Sequence, residues 1–107
     1  MTVTTQLVTF AASAQKFPAA PSNGLVNRIV AEPLRSNTHA SFVGISTVTN
    51  DGSGTGVVKE IAQPPAATVP LDYFEHYDMD GRNTISPEQF YGHGTTGEKL
   101  KVTYFQT

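Results

Sequence analysis

The chain has no cysteine. That excludes a disulfide framework and any thiolate metal site, and it leaves the redox compartment open. Charge is scarce as well: Asp, Glu, Lys and Arg make up 15% of the 107 residues, and the formal net charge is −2. The seven Lys and Arg residues are scattered, with only Lys99 and Lys101 close together, so there is no electrostatic footprint for nucleic acid. No apolar run approaches the roughly 18 residues of a membrane-spanning helix. The opening MTVTTQLVTF carries neither a basic stretch nor a long apolar run, and it does not read as a secretory signal. Disorder usually goes with high charge, so this composition argues for a folded chain. Weak self-repulsion also suits a protein that associates.

What is present is β-sheet chemistry. Ala40 to Ile61 holds two runs rich in Val, Ile, Phe and Thr around a cluster of Asn50, Asp51, Gly52, Ser53 and Gly54. β-Branched and aromatic residues suit a pleated surface, and Asn, Asp and Gly supply the backbone of a reversal, which predicts a β-hairpin with a loop of about five residues. Val43, Ile45 and Thr47 alternate with Phe42, Gly44 and Val48, so both faces carry apolar residues. A sheet with one wet face alternates more cleanly; the expectation is a sandwich on one side and a partner subunit on the other.

The remaining segments fit the same class. Thr2–Phe10 alternates as a strand, and Leu25–Leu34 forms a second that Pro33 ends or places at an edge. Thr68–Tyr77 is an edge or bent strand, with one helical turn near Leu71–His76 as the alternative. Thr84–Phe90 is a short strand or a helix start at Ser86-Pro87-Glu88. Lys99–Gln106 alternates most cleanly, with Leu100, Val102 and Tyr104 inward and Lys99, Lys101 and Thr103 outward. Between the first two strands, Ala11–Gly24 is rich in Ala and Pro with one large apolar residue, Phe17. It is either a surface linker or an extended arm that places Phe17 on a neighbouring subunit. The whole predicts a single all-β domain over residues 1–107, an antiparallel β-sandwich of jelly-roll type. Residues 1–24 form its N-terminal strand and arm, and residues 25–107 its body. Leu7, Phe10, Phe17, Phe42 and Val58 are the candidate contacts for another subunit.

Catalytic and metal chemistry finds little support. The run from Asp78 to Phe90 resembles a calcium loop, with Asp78 and Asp80 at the first and third ligand positions. Arg82 and Gln89 then stand where an oxygen donor and a bidentate carboxylate are required, so a polar turn held by aspartate side chains is expected instead. His39, His76 and His93 match no zinc spacing. No serine lies in a nucleophile-elbow sequence, and Gly52, Gly54 and Gly56 precede no helix that would receive a phosphate. The expectation is therefore a chain that is not an enzyme and has no cofactor. Tyr73, Phe74, Tyr77, Phe90 and Tyr91 either pack in the core or offer a stacking platform for sugars.

The run Ser36-Asn37-Thr38-His39-Ala40-Ser41-Phe42-Val43-Gly44-Ile45-Ser46-Thr47-Val48-Thr49, the Gly-rich turn after it and the closing Val102-Thr103-Tyr104-Phe105 resemble the small virion proteins of tailed bacteriophages. That resemblance implies a capsid decoration (cement) protein on the capsid exterior. It would be a homotrimer that clamps the major capsid protein, without nucleic-acid or membrane partners. The alternatives are a carbohydrate- or ligand-binding β-module, with calcium assistance, and a tail or neck component of the particle.

Overall fold

The computed structural model describes all 107 residues. Eight strands run in the order β1 (Thr2–Thr9), β2 (Gln15–Lys16), β3 (Arg28–Pro33), β4 (Ser41–Gly44), β5 (Val57–Ile61), β6 (Phe74–Tyr77), β7 (Tyr91–His93) and β8 (Lys99–Gln106). A single 3₁₀ turn, Pro87–Gln89, is the only helical element. One sheet has the strand order β1-β8-β3-β6 and the other β2-β7-β4-β5, with every pairing antiparallel. The pairs β1–β8, β2–β7, β3–β6 and β4–β5 nest inside one another, as if one long hairpin had been rolled up from its tip at β4–β5. This is the jelly roll, an eight-stranded sandwich of two sheets.

The core follows from period-two alternation. In β8, Leu100, Val102, Tyr104 and Gln106 are buried while the residues between them are half-buried. In β3 the inward row is Ile29, Ala31 and Pro33, and in β5 it ends on Ile61. One cluster of 14 buried residues joins Leu100, Val102, Tyr104, Ile29, Ala31 and Ile61 to Val8, Phe10, Phe17, Ala20, Val26, Val43, Phe74 and Ile85. Val26 lies outside β3, in an isolated bridge to Ile85, which is why it is buried alongside Ile29 rather than opposed to it.

The Ala/Pro-rich segment is part of this sandwich and not an arm. Phe17 is 1% exposed and its ring faces that of Phe90 at 6.1 Å. Proline lacks a backbone donor, so the run around Pro18 and Pro21 presents mainly carbonyls. Side chains from β8 and β1 supply the missing donors. The Tyr104 hydroxyl donates to Pro18 O at 2.7 Å, Gln106 Nε2 to Pro21 O and Leu25 O at 2.9 Å each, and Gln6 Nε2 to Ala19 O at 3.2 Å. Burial, with Glu88 adding to it, pushes the Tyr104 hydroxyl far above the usual phenol range, so it stays protonated as this bond requires.

The predicted hairpin is present, but its loop is longer than expected. β4 ends at Gly44 and β5 begins at Val57, with the intervening chain closed by Ile45 N–H to Gly56 O at 3.0 Å. Here the two backbones nearly touch: a Cβ on Gly44 would lie 1.9 Å from Gly56 O. Ile45 and Thr47 therefore leave the strand. The loop folds back over the outer face of its own sheet, where Gly52, at φ +75°, sits against the Phe42 ring. Phe42, Val48 and His93 are thereby buried, with His93 Nδ1 hydrogen-bonded to Val48 O at 3.0 Å. The two-sided apolar pattern of β4 reflects a cover supplied by the chain itself, not a partner subunit.

Truncating Phe17 removes a large side chain from the core. Phe17→Ala is expected to lower stability by about 3–5 kcal/mol, read as a shift in the urea midpoint. A change within about 0.5 kcal/mol would be the behaviour of an exposed position.

Candidate functional site

The hairpin loop covers the middle of the second sheet's outer side, around Phe42 and His93, while the outer face of the first sheet has no such cover. Register sets its rows. Val3 lies opposite Phe105, Phe105 opposite Arg28, and Arg28 opposite Tyr77; the next row is Thr5, Thr103, Val30 and Glu75; the third is Leu7, Lys101 and Glu32. The face mixes apolar groups with charges, most of which are paired. The Arg28 guanidinium bonds the Glu75 carboxylate and lies over the Phe105 ring at 4.9 Å, a geometry that adds cation–π attraction. Lys101 Nζ stands 3.7 Å from Glu32. Such exposed pairs contribute little stability, but they neutralise the middle of the face; Lys99, at its end opposite Thr9, has no carboxylate partner and its Nζ reaches Gly97 O at 3.4 Å.

At one end of this face is an open cleft of about 390 Å³, lined by Asn27, Arg28, Glu75, Tyr77 and Asp78. Tyr77 in its wall is half-exposed; Tyr73, also half-exposed, precedes the other end of β6. Of the other aromatics, Phe74 is buried, and Phe90 packs between Phe74 and His76 with ring centroids 5.5 and 5.4 Å away.

The run beginning at Asp78 is a self-bonded turn. Asp78 Oδ1 accepts the N–H of Asp80 at 2.8 Å and that of Arg82 at 3.4 Å, while Oδ2 accepts the Thr84 hydroxyl. Asp78 N–H donates to Asn27 O, closing the turn onto the strand before it. Asn83 anchors the far side: Nδ2 donates to Thr107 O at 2.9 Å, and Oδ1 accepts Thr107 N–H at 3.1 Å. Both Asp78 oxygens thus serve donors of the turn. The Thr84 hydroxyl first, and then the Asp80 N–H, hold the Asp78 carboxyl below the usual aspartate range.

The three histidines are placed apart. His93 is under the β4–β5 loop, His76 packs at a tilt against Phe90, and His39 Nδ1 meets Glu98 Oε2 at 3.2 Å. Glu98 also receives the Thr38 N–H and hydroxyl. Its burial raises its pKa, but these donors outweigh it and the carboxyl is lowered.

Against models of protein families, characterised proteins and solved structures, the chain matches none.

The five candidate contact residues separate into two groups. Phe10 and Phe17 are 1% exposed and Phe42 is 5% exposed, all against the chain's own core or loop. The fold uses them internally because the N-terminal segment and the hairpin loop both turn back onto the sandwich. Leu7 and Val58 remain at the surface, 51% and 62% exposed. Leu7 belongs to the open face, together with Val3, Arg28, Glu75 and Phe105, which sequence reasoning did not single out. Period two identifies which side of its strand each occupies; their neighbourhood depends on register across three strand pairs.

The Asp78 turn gives a pH prediction. Its carboxyl titrates lower in the folded chain than in the unfolded one. The stabilisation is therefore complete above about pH 4 and is lost as pH falls through the depressed folded value. Asp51, lowered by the Ser53 N–H, and Asp72, lowered by the Ala62 N–H, act in the same direction. Asp78→Asn, with no charge to lose, should show a shallower fall in melting temperature between about pH 4 and 2. An acid limb parallel to that of the unsubstituted chain would show that the Asp78 carboxylate is not among its causes.

Proposed function

We infer that this is a structural protein of a tailed-phage particle, a capsid decoration protein that docks on the major capsid protein from outside. The observation that carries this reading is the open outer face of the first sheet. It carries half-exposed Val3, Leu7 and Tyr77, and four of its charges are paired with one another, Arg28 with Glu75 and Lys101 with Glu32. A surface of this kind binds by buried apolar area with a polar rim, which is the work of an adhesive protein. The phage assignment rests on the resemblance of Ser36–Thr49 and Val102–Phe105. The jelly roll is compatible with it, since capsid proteins use that architecture, but so do lectins, and a fold alone does not assign a function.

A second reading is a carbohydrate-binding module, favoured by the cleft of Asn27, Arg28, Glu75, Tyr77 and Asp78, in which Tyr77 is half-exposed. Stacked aromatic faces and planar polar groups suit sugar rings.

The test is peptide mass spectrometry of gradient-purified phage particles from the source of the sequence, with surface labelling by antibody. The chain is expected in the particles and accessible from outside. Particles that lack it, together with saturable binding to a glycan array that Tyr77→Ala abolishes, would replace the decoration reading with the second one.

A further inference from the structure

The four sheet edges are not alike. β2 has two residues, one of them Lys16, and Pro18 follows shortly after. β5 carries Lys59 and Glu60, with Pro64 and Pro65 beyond its end. β6 has four residues, including Glu75 and His76. Short length, charge and nearby proline are the devices that keep an edge from pairing with another chain. β1 has none of them. Its eight residues, TVTTQLVT, contain no charge, proline or glycine, and they pair one-to-one with β8 without a bulge.

The orientation of its backbone is known. Phe10 N–H donates to Glu98 O, and alternation along an antiparallel ladder then turns Val8, Gln6 and Thr4 toward β8 as well. The N–H and C=O groups of Val3, Thr5, Leu7 and Thr9 therefore point away from the sheet. No other strand pairs with β1, and no turn or side-chain hydrogen bond reaches these groups. The side chains of the same four residues stand exposed on the open face.

We propose that β1 pairs edge to edge with β1 of a second copy, antiparallel about a two-fold axis at Thr5, joining the two first sheets into one continuous eight-stranded sheet. In this register Thr5 faces its own copy and Val3 faces Leu7 of the partner copy on both sides. The two exposed apolar residues of the strand then cover each other, a favourable cross-strand pair. About six backbone hydrogen bonds form between outward-facing residues, and no like charges are brought together. The second copy is the occupant because this strand is complementary to itself: its only unpaired backbone groups and its two apolar side chains match when the strand is reversed. A closed ring of three, the assembly that the phage resemblance implies, joins two different surfaces head to tail. It would need a second accepting edge, and the other three edges are guarded. The inference does not depend on the phage reading.

Light scattering on a sizing column, over a range of concentrations, tests it. The unsubstituted chain is expected as a dimer. Thr5→Lys, at an exposed position, should keep the circular dichroism spectrum of the folded chain and run as a monomer, because it sets two ammonium groups opposite each other. In a chain with no other thiol, Thr5→Cys should oxidise to a covalent dimer, since paired residues at such a site lie within disulfide reach; Val58→Cys, exposed on β5, should not. A monomer at every concentration, a trimer, or a dimer that tolerates Thr5→Lys and leaves Thr5→Cys uncrosslinked would each overturn the proposal.

Discussion

Strand β8 is paired along both edges, to β1 through all eight of its residues and to β3 through six. Where β3 ends, Asn37 takes over. Its side chain donates to Lys99 O at 2.7 Å and accepts Lys99 N–H at 3.2 Å, mimicking a strand neighbour. The inward row of β8 then binds everything beneath it. Leu100 and Val102 fill the centre of the core, and Tyr104 and Gln106 hold the proline-rich segment by its carbonyls. A small sandwich without disulfides depends on this kind of strand, because burying apolar area and satisfying backbone polar groups must be achieved by the same few residues.

The two sheets meet solvent differently. The second is covered over the middle of its outer side by the β4–β5 loop, which buries Phe42, Val48 and His93 and leaves Val58 at the β5 edge exposed. The first has no such cover, and most of its charges are neutralised locally, Arg28 by Glu75 and Lys101 by Glu32. A face of low net charge that is partly apolar and bounded by an uncharged strand is suited to contact with another surface. The low charge content of the chain has its structural meaning here, since few charged residues remain to blunt the β1 edge.

The sequence was most informative where alternation was strict. Lys99–Gln106 is a strand over that same range, with Leu100, Val102 and Tyr104 buried. Asp78 and its neighbours read correctly as a turn, because an aspartate that bonds the N–H two residues ahead is a local device. The hairpin was legible but not its length: Gly44 and Gly56 lie twelve positions apart, and nothing local says that their backbones meet. Phe17 was the least decidable. One aromatic in a run of Ala and Pro must be buried somewhere, but the run does not say whether the covering surface belongs to the same chain.

The class of structure and the inward side of the long strands follow from local pattern alone, because period-two patterning and turn chemistry act over a few residues. The tertiary structure decided which strands became neighbours, which face was covered and which edge was left open. Those outcomes depend on contacts between residues far apart in the chain, such as Tyr104 with Pro18 and Glu98 with Thr38. Each such contact stabilises only after the nested pairing of all eight strands has brought its partners together, so no single segment encodes it.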